Sequence, residues 1–227
     1  MKTILKSLLV ALIGSTLLSA NAQDSRKLDY FDAITVTGDV EVTLVRGDEP
    51  GLAILTEGVD DDDVSIFVKG KTLKIQMIEG LFRDLDRVEV IVTYTKLRGI
   101  KSSAGAEVRS EGVVEGDELQ LKASSGGRLT LEVQSNSIEA TVSEGAGLTI
   151  AGNTEDQEIT ASTGGIYDAR ELQSQRTYAK ATTGGEASVV ANHRLDANAS
   201  TGGIIRYSGE PEFKNTRSVI AGEIHQL

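Results

Sequence analysis

From residue 30 onward the chain alternates apolar and polar residues at period two, run after run, and no long stretch repeats apolar residues at helical spacing. Period-two alternation with one apolar face is the signature of half-buried strands. "FDAITVTGDVEVTLVRGD", "VSIFVKGKTLKIQM" and "RVEVIVTY" read this way, with "KGKT" as a hairpin turn. Further on, a Ser/Thr-Gly phrase punctuates the alternation. Its anchors are Ser103, Ser124, Ser143, Ser162, Thr182 and Ser200, at steps of 21, 19, 19, 20 and 18 residues. The flanks repeat with it. Leu119, Leu121 and Ala123 precede one anchor; Ile138, Ala140 and Val142 precede the next. Then come Gln157, Ile159 and Ala161; Thr177, Ala179 and Ala181; Leu195, Ala197 and Ala199.

Each repeat therefore reads as strand, Gly-rich corner, strand, polar turn. A unit of about 20 residues cannot bury its apolar face alone, so consecutive units must stack. Equivalent strands become parallel neighbours and equivalent apolar residues form interior columns. The expected fold is all-β: a right-handed, single-stranded parallel β-helix, right-handed as parallel crossovers generally are. Gly105, Gly126, Gly127, Gly145, Gly164, Gly165, Gly184, Gly185, Gly202 and Gly203 are its structural corner positions, where Gly tolerates positive φ and close backbone contact. The many inward Ala imply a narrow interior. Hairpins of an antiparallel sandwich would leave the columns unexplained. No helical pattern follows the Gly pairs, as a phosphate-cradling loop would require.

Composition sharpens this reading. The chain has 227 residues, no Cys and no Trp, and a net charge of −11. Without disulfides, stability rests on packing and hydrogen bonds. So acidic a chain is not expected to seek nucleic acid or to insert into membranes. Residues 1–22 have the form of a cleavable signal peptide: Lys2 and Lys6, a short apolar run, then Ala20-Asn21-Ala22, with cleavage expected after Ala22. Residues 23–29 read as a linker and 30–227 as one solenoid domain. Within it, 30–100 form N-terminal coils or a cap, and 101–227 the repeat coils.

Phe31, Ile34, Val36, Gly38, Val40 and Val42, followed by "LRGIKSSAGAEV" and serial Ser/Thr-Gly-Gly coils, resemble the head GIN domain family of auto-transporter adhesins, a family common in Bacteroidetes. The resemblance covers roughly residues 30–221. It implies a parallel β-helix and a cell-surface or periplasmic location, and it carries over no catalytic residues. Many relatives look like lipoproteins. This chain has no Cys to carry a lipid, so the expected product is secreted or periplasmic and not a lipoprotein.

Chemistry-bearing residues are few. Outward positions after the corner place Arg109, Thr130, Thr149, Asp168, Ser188 and Arg206 in one column, and Glu132, Ala151, Arg170, Val190 and Ser208 in the next. Asp168, Arg170 and Arg206, with the outward Tyr178, are the surface candidates; surface charge pairing accounts for the charged ones equally well. Asp60–Asp63 lacks the spaced ligands and Gly of a calcium loop, so no metal is expected, nor any cofactor. His193 and His225 have no partner set for catalysis. The expected function is a non-catalytic surface or adhesion module of a Gram-negative bacterium, with a glycan or protein as ligand. A polysaccharide lyase or hydrolase is the first alternative. A structural envelope protein that self-associates through its solenoid edges is the second.

Overall fold

The computed structural model describes residues 24–55, 64–77 and 88–227. Residues 1–22, read above as a signal peptide, and Asp60–Asp63 lie outside them. The described residues form strands joined by turns, in a parallel β-solenoid.

The N-terminal part comprises β1 (Asp24–Lys27), β2 (Ala33–Thr37), β3 (Val40–Arg46), β4 (Gly51–Ile54), β5 (Val64–Lys69), β6 (Thr72–Met77) and β7 (Val88–Tyr94). The repeat part begins with β8 (Gly99–Ser103) and the long strands β9 (Glu107–Ser124), β10 (Arg128–Val142), β11 (Gly147–Ser162) and β12 (Ile166–Thr182). It ends with β13 (Glu186–Val190), β14 (Arg194–Ser200), β15 (Ile204–Ser208), β16 (Phe213–Val219) and β17 (Glu223–Gln226).

Each coil has two sides. One side, face A, stacks β6, β2, β8, the C-terminal halves of β9 to β12, then β14 and β16. Face B stacks β7, β3, the N-terminal halves of β9 to β12, then β13, β15 and β17. The interior columns are those of the sequence: Leu119, Ile138, Gln157, Thr177 and Leu195 are successive register partners, as are Ala123, Val142, Ala161, Ala181 and Ala199. All ten are buried, because alternation points these side chains inward on every coil.

Two kinds of corner close each coil. At the first, two residues in succession have positive φ and the chain reverses in a tight turn. Thr163 (φ 48°) and Gly164 (φ 71°) sit between Ser162 and Gly165, and the Gly165 amide donates to the Ser162 carbonyl at 2.9 Å. This is a type I′ turn. Seven such corners occur among the described residues, at 103–106, 124–127, 143–146, 162–165, 182–185, 200–203 and 219–222. The two glycines of the phrase have different tasks. The first holds positive φ. The second packs against the preceding coil: a Cβ on Gly165 would lie 2.5 Å from the Val142 carbonyl oxygen. The seventh corner, Val219-Ile220-Ala221-Gly222, lacks the Ser/Thr-Gly phrase and keeps only the second glycine. At the opposite corner a buried hydroxyl bridges the bend. Ser135, Thr154 and Ser174 donate to the carbonyls of Ser137, Asp156 and Arg176 at 2.8, 2.9 and 2.9 Å.

The N-terminal coils are threaded out of chain order. The coil of β2 and β3 lies between the coil of β6 and β7 and the coil of β8 and β9. Beyond β6 and β7 the sheet continues antiparallel: β5 pairs with β6 through the turn at Gly70-Lys71, and β4 pairs with β7 and carries β1. At the far end, most inward positions of the last coil are polar: Lys214, Thr216, Ser218 and Gln226 face Leu195, Ala197, Ala199 and Tyr207 in register, while Ile224 packs on Ile205.

Candidate functional site

On face B the outward column runs Arg109, Thr130, Thr149, Asp168, Ser188, Arg206, each the register partner of the next. The neighbouring column differs from the sequence reading. Ala151 pairs with Glu171, not Arg170, because the register of β12 slips between Asp168 and Glu171. The extra residue of that 20-residue step is absorbed as a bulge. Arg170, thrown out of its column, folds back on Asp168: its Nε donates to Oδ1 at 2.8 Å and an Nη to Oδ2 at 2.5 Å. This bidentate hydrogen bonding holds the Asp168 carboxyl below the usual range against a smaller opposing effect of burial. A carboxylate so held is charged and already doubly bonded near neutral pH, which suits it poorly for general acid or base work. Arg206 is committed to Glu186 at 2.8 Å, and Arg109 pairs with Glu41.

Tyr178 belongs to face A, so the four candidates do not meet. Its ring is partly exposed, with the Arg194 guanidinium 5.9 Å from the centroid. Arg194 also donates to Asp196 at 2.6 Å, and Arg176 grips Asp156 through bonds of 2.5 and 2.6 Å. His193 stacks edge-on against Phe213, and His225 lies 2.9 Å from Glu223. Among the described residues no group of three or more His, Asp or Glu is disposed to hold a metal ion. No helix among them is long and apolar enough to cross a membrane.

Face A holds a second feature that the repeat pattern concealed. Two residues before the corner anchors, the outward column reads Lys74, Thr35, Lys101, Lys122, Thr141, Thr160, Lys180, Asn198, Arg217. It contains no acid. The adjacent column reads Thr72, Ala33, Gly99, Gln120, Glu139 at its N-terminal end. Where Ala33 and Gly99 are neighbours, the surface sinks into a shallow groove of about 420 Å³, rimmed by Lys101, Lys122, Gln120, Thr35 and Glu139. The lysines were visible in the repeat; the groove was not, because Ala33 and Thr35 lie far upstream of the strands they touch.

A family model described as "Putative auto-transporter adhesin, head GIN domain" matches residues 30–211. The chain belongs to this family. Solved structures share the head GIN fold. A "putative adhesin" from Bacteroides fragilis superposes with a TM-score of 0.83 at 17% identity, over 90% of this chain and 95% of that one. A "putative adhesin" from Parabacteroides distasonis gives 0.67 at 22% identity, over 90% and 95%. A "putative lipid binding protein" from the same species gives 0.65 at 17% identity, over 90% and 96%. No curated protein matches the sequence.

Proposed function

We propose that this head GIN protein is an exported, non-catalytic surface-binding module of adhesin type, engaging its ligand through the flat outer faces of the solenoid. The observation that carries this is the state of the charged groups: Asp168 is bonded to Arg170, and Arg176, Arg194 and Arg206 are each bonded to a neighbouring acid instead of being poised for chemistry. Membership of an adhesin-type family and the adhesin descriptions of two of the solved relatives support the adhesin class. Export rests on the leader-like residues 1–22, whose removal leaves Gln23 first.

Two measurements test the reading. N-terminal sequencing of the protein recovered from the envelope or medium should begin at Gln23; an intact Met1 in the cytoplasm would refute export. Purified protein should bind immobilised glycans or glycoproteins while releasing neither reducing ends nor unsaturated sugars from neutral and uronate-containing polysaccharides. Turnover that disappears in Asp168→Ala and Arg170→Ala would establish an enzyme instead.

A further inference from the structure

The groove on face A has features that the ion-pair network elsewhere lacks. On the outer faces Arg109, Arg128, Arg170, Arg176, Arg194 and Arg206 each lie against a carboxylate. Lys101 and Lys122 have no carboxylate partner among the described residues, although the chain carries 34 acids against 23 Lys and Arg. The two are direct register partners on adjacent parallel strands, so their stems rise about 4.8 Å apart. Thr35 extends the column on one side and Thr141 on the other. A parallel rail of hydroxyls, Thr37, Ser103 and Ser124, runs two residues nearer the corner.

We infer that this groove binds an acidic glycan, a sugar chain bearing carboxylate or sulfate groups, with Lys101 and Lys122 on the anionic substituent. Each part of the groove matches a part of such a ligand. Two unpartnered ammonium groups on one wall supply charge-assisted donors. Ala33 and Gly99 line the groove with almost no side chain, which leaves room for the C–H face of a pyranose ring. Thr35, Thr141 and the Gln120 amide offer donors and acceptors to ring hydroxyls. Glu139 on the far rim accepts from a hydroxyl and keeps the anionic substituent at the Lys101 end. The chain's overall negative charge does not forbid this, because charges beyond about 8 Å are largely screened at physiological ionic strength. The inference rests on the surface-binding reading and gives it a site and a ligand class.

The test is calorimetric titration of the intact mature protein with four probes: an oligogalacturonate, a heparin-derived oligosaccharide, a maltooligosaccharide of matching length and polyglutamate. The expected result is binding of one or both acidic sugars, weakened with rising salt, and none of the neutral one. Binding of only one acidic sugar identifies carboxylate or sulfate as the recognised group. The double variant Lys101→Thr/Lys122→Thr extends the residue type of Thr35 and Thr141, so it suits the strand. It should lose about tenfold or more in affinity. Lys180→Thr, three coils along the same column, should leave affinity unchanged. The inference is overturned if neither acidic sugar binds, if the double variant binds as wild type does, or if polyglutamate binds as tightly as the acidic sugars. Binding of neutral glycans or glycoproteins without acidic ones would sink this site while leaving the surface-binding reading intact.

Discussion

At the scale of single residues, the Gly pair divides two constraints between two positions. Gly184 has φ +70° and open space where a methyl group would stand, whereas a Cβ on Gly185 would collide with the Ala161 carbonyl, 2.5 Å from its carbon. In the seventh corner Ala221 occupies the first position at φ 57°. Gly184→Ala should therefore cost about 1 kcal/mol, the ordinary penalty of left-handed backbone. Gly185→Ala must displace main chain and should cost about 3 kcal/mol. Urea unfolding of the two variants separates them, and equal losses would show that the close approach is not a constraint. The acid side of stability is also set by single residues. Hydrogen bonding to Arg170 and Arg194 holds the Asp168 and Asp196 carboxyls below their unfolded values. These pairs contribute above a pH of about 4 and are lost as pH falls through the folded values. Both pairs are solvent-screened, so Arg170→Gln should lose a little stability at pH 7, and its difference from wild type in urea unfolding should shrink as pH falls below about 4.

At the scale of strands and corners, the coil lengths carry information. Steps of 19 residues give uninterrupted pairing from β10 to β11. The 21-residue step bulges between Arg109 and Val113, and the 20-residue step between Asp168 and Glu171. The interior also departs from pure hydrocarbon at one level. Gln157 donates to Thr177 and to the Val190 carbonyl, both at 3.0 Å, and accepts from Tyr167 at 3.1 Å. Burial pushes the Tyr167 phenol well above its usual range, so it stays a neutral donor. Gln157→Leu would strand the Tyr167 hydroxyl and should cost about 1–3 kcal/mol. Thermal unfolding should show this loss, and adding Tyr167→Phe to the Gln157→Leu variant should recover part of it. The columns were legible because residues 99–219 stack in chain order, which turns a spatial neighbour into a fixed sequence offset. The groove was illegible because Thr35 and Ala33 lie far upstream of Lys101 and Gly99, the residues they pair with. The displacement of Arg170 was hidden in a step longer by one residue, which says that a bulge exists but not where it falls.

At the scale of the whole molecule, the two ends of the stack are finished differently. Antiparallel strands cover the N-terminal end, while the C-terminal end turns Lys214, Thr216, Ser218 and Gln226 toward the interior columns. A chain stopped after Ser208 would instead expose Leu195, Ala197, Ile205 and Tyr207, which are buried in the full-length protein. Light scattering should detect self-association of that truncated form at concentrations where the intact protein is monodisperse. The sandwiched coil at 33–46 has a further consequence, for how the molecule is made. Its partners on both sides leave the ribosome after it, so β2 has no template until β6, at 72–77, has followed, and β3 none until β7, at 88–94. Every later turn finds its neighbour already laid down and can zip on singly. Assembly therefore runs one way, and an extra turn spliced in beyond residue 124 should be accommodated where one inserted between 46 and 99 would unlace the start.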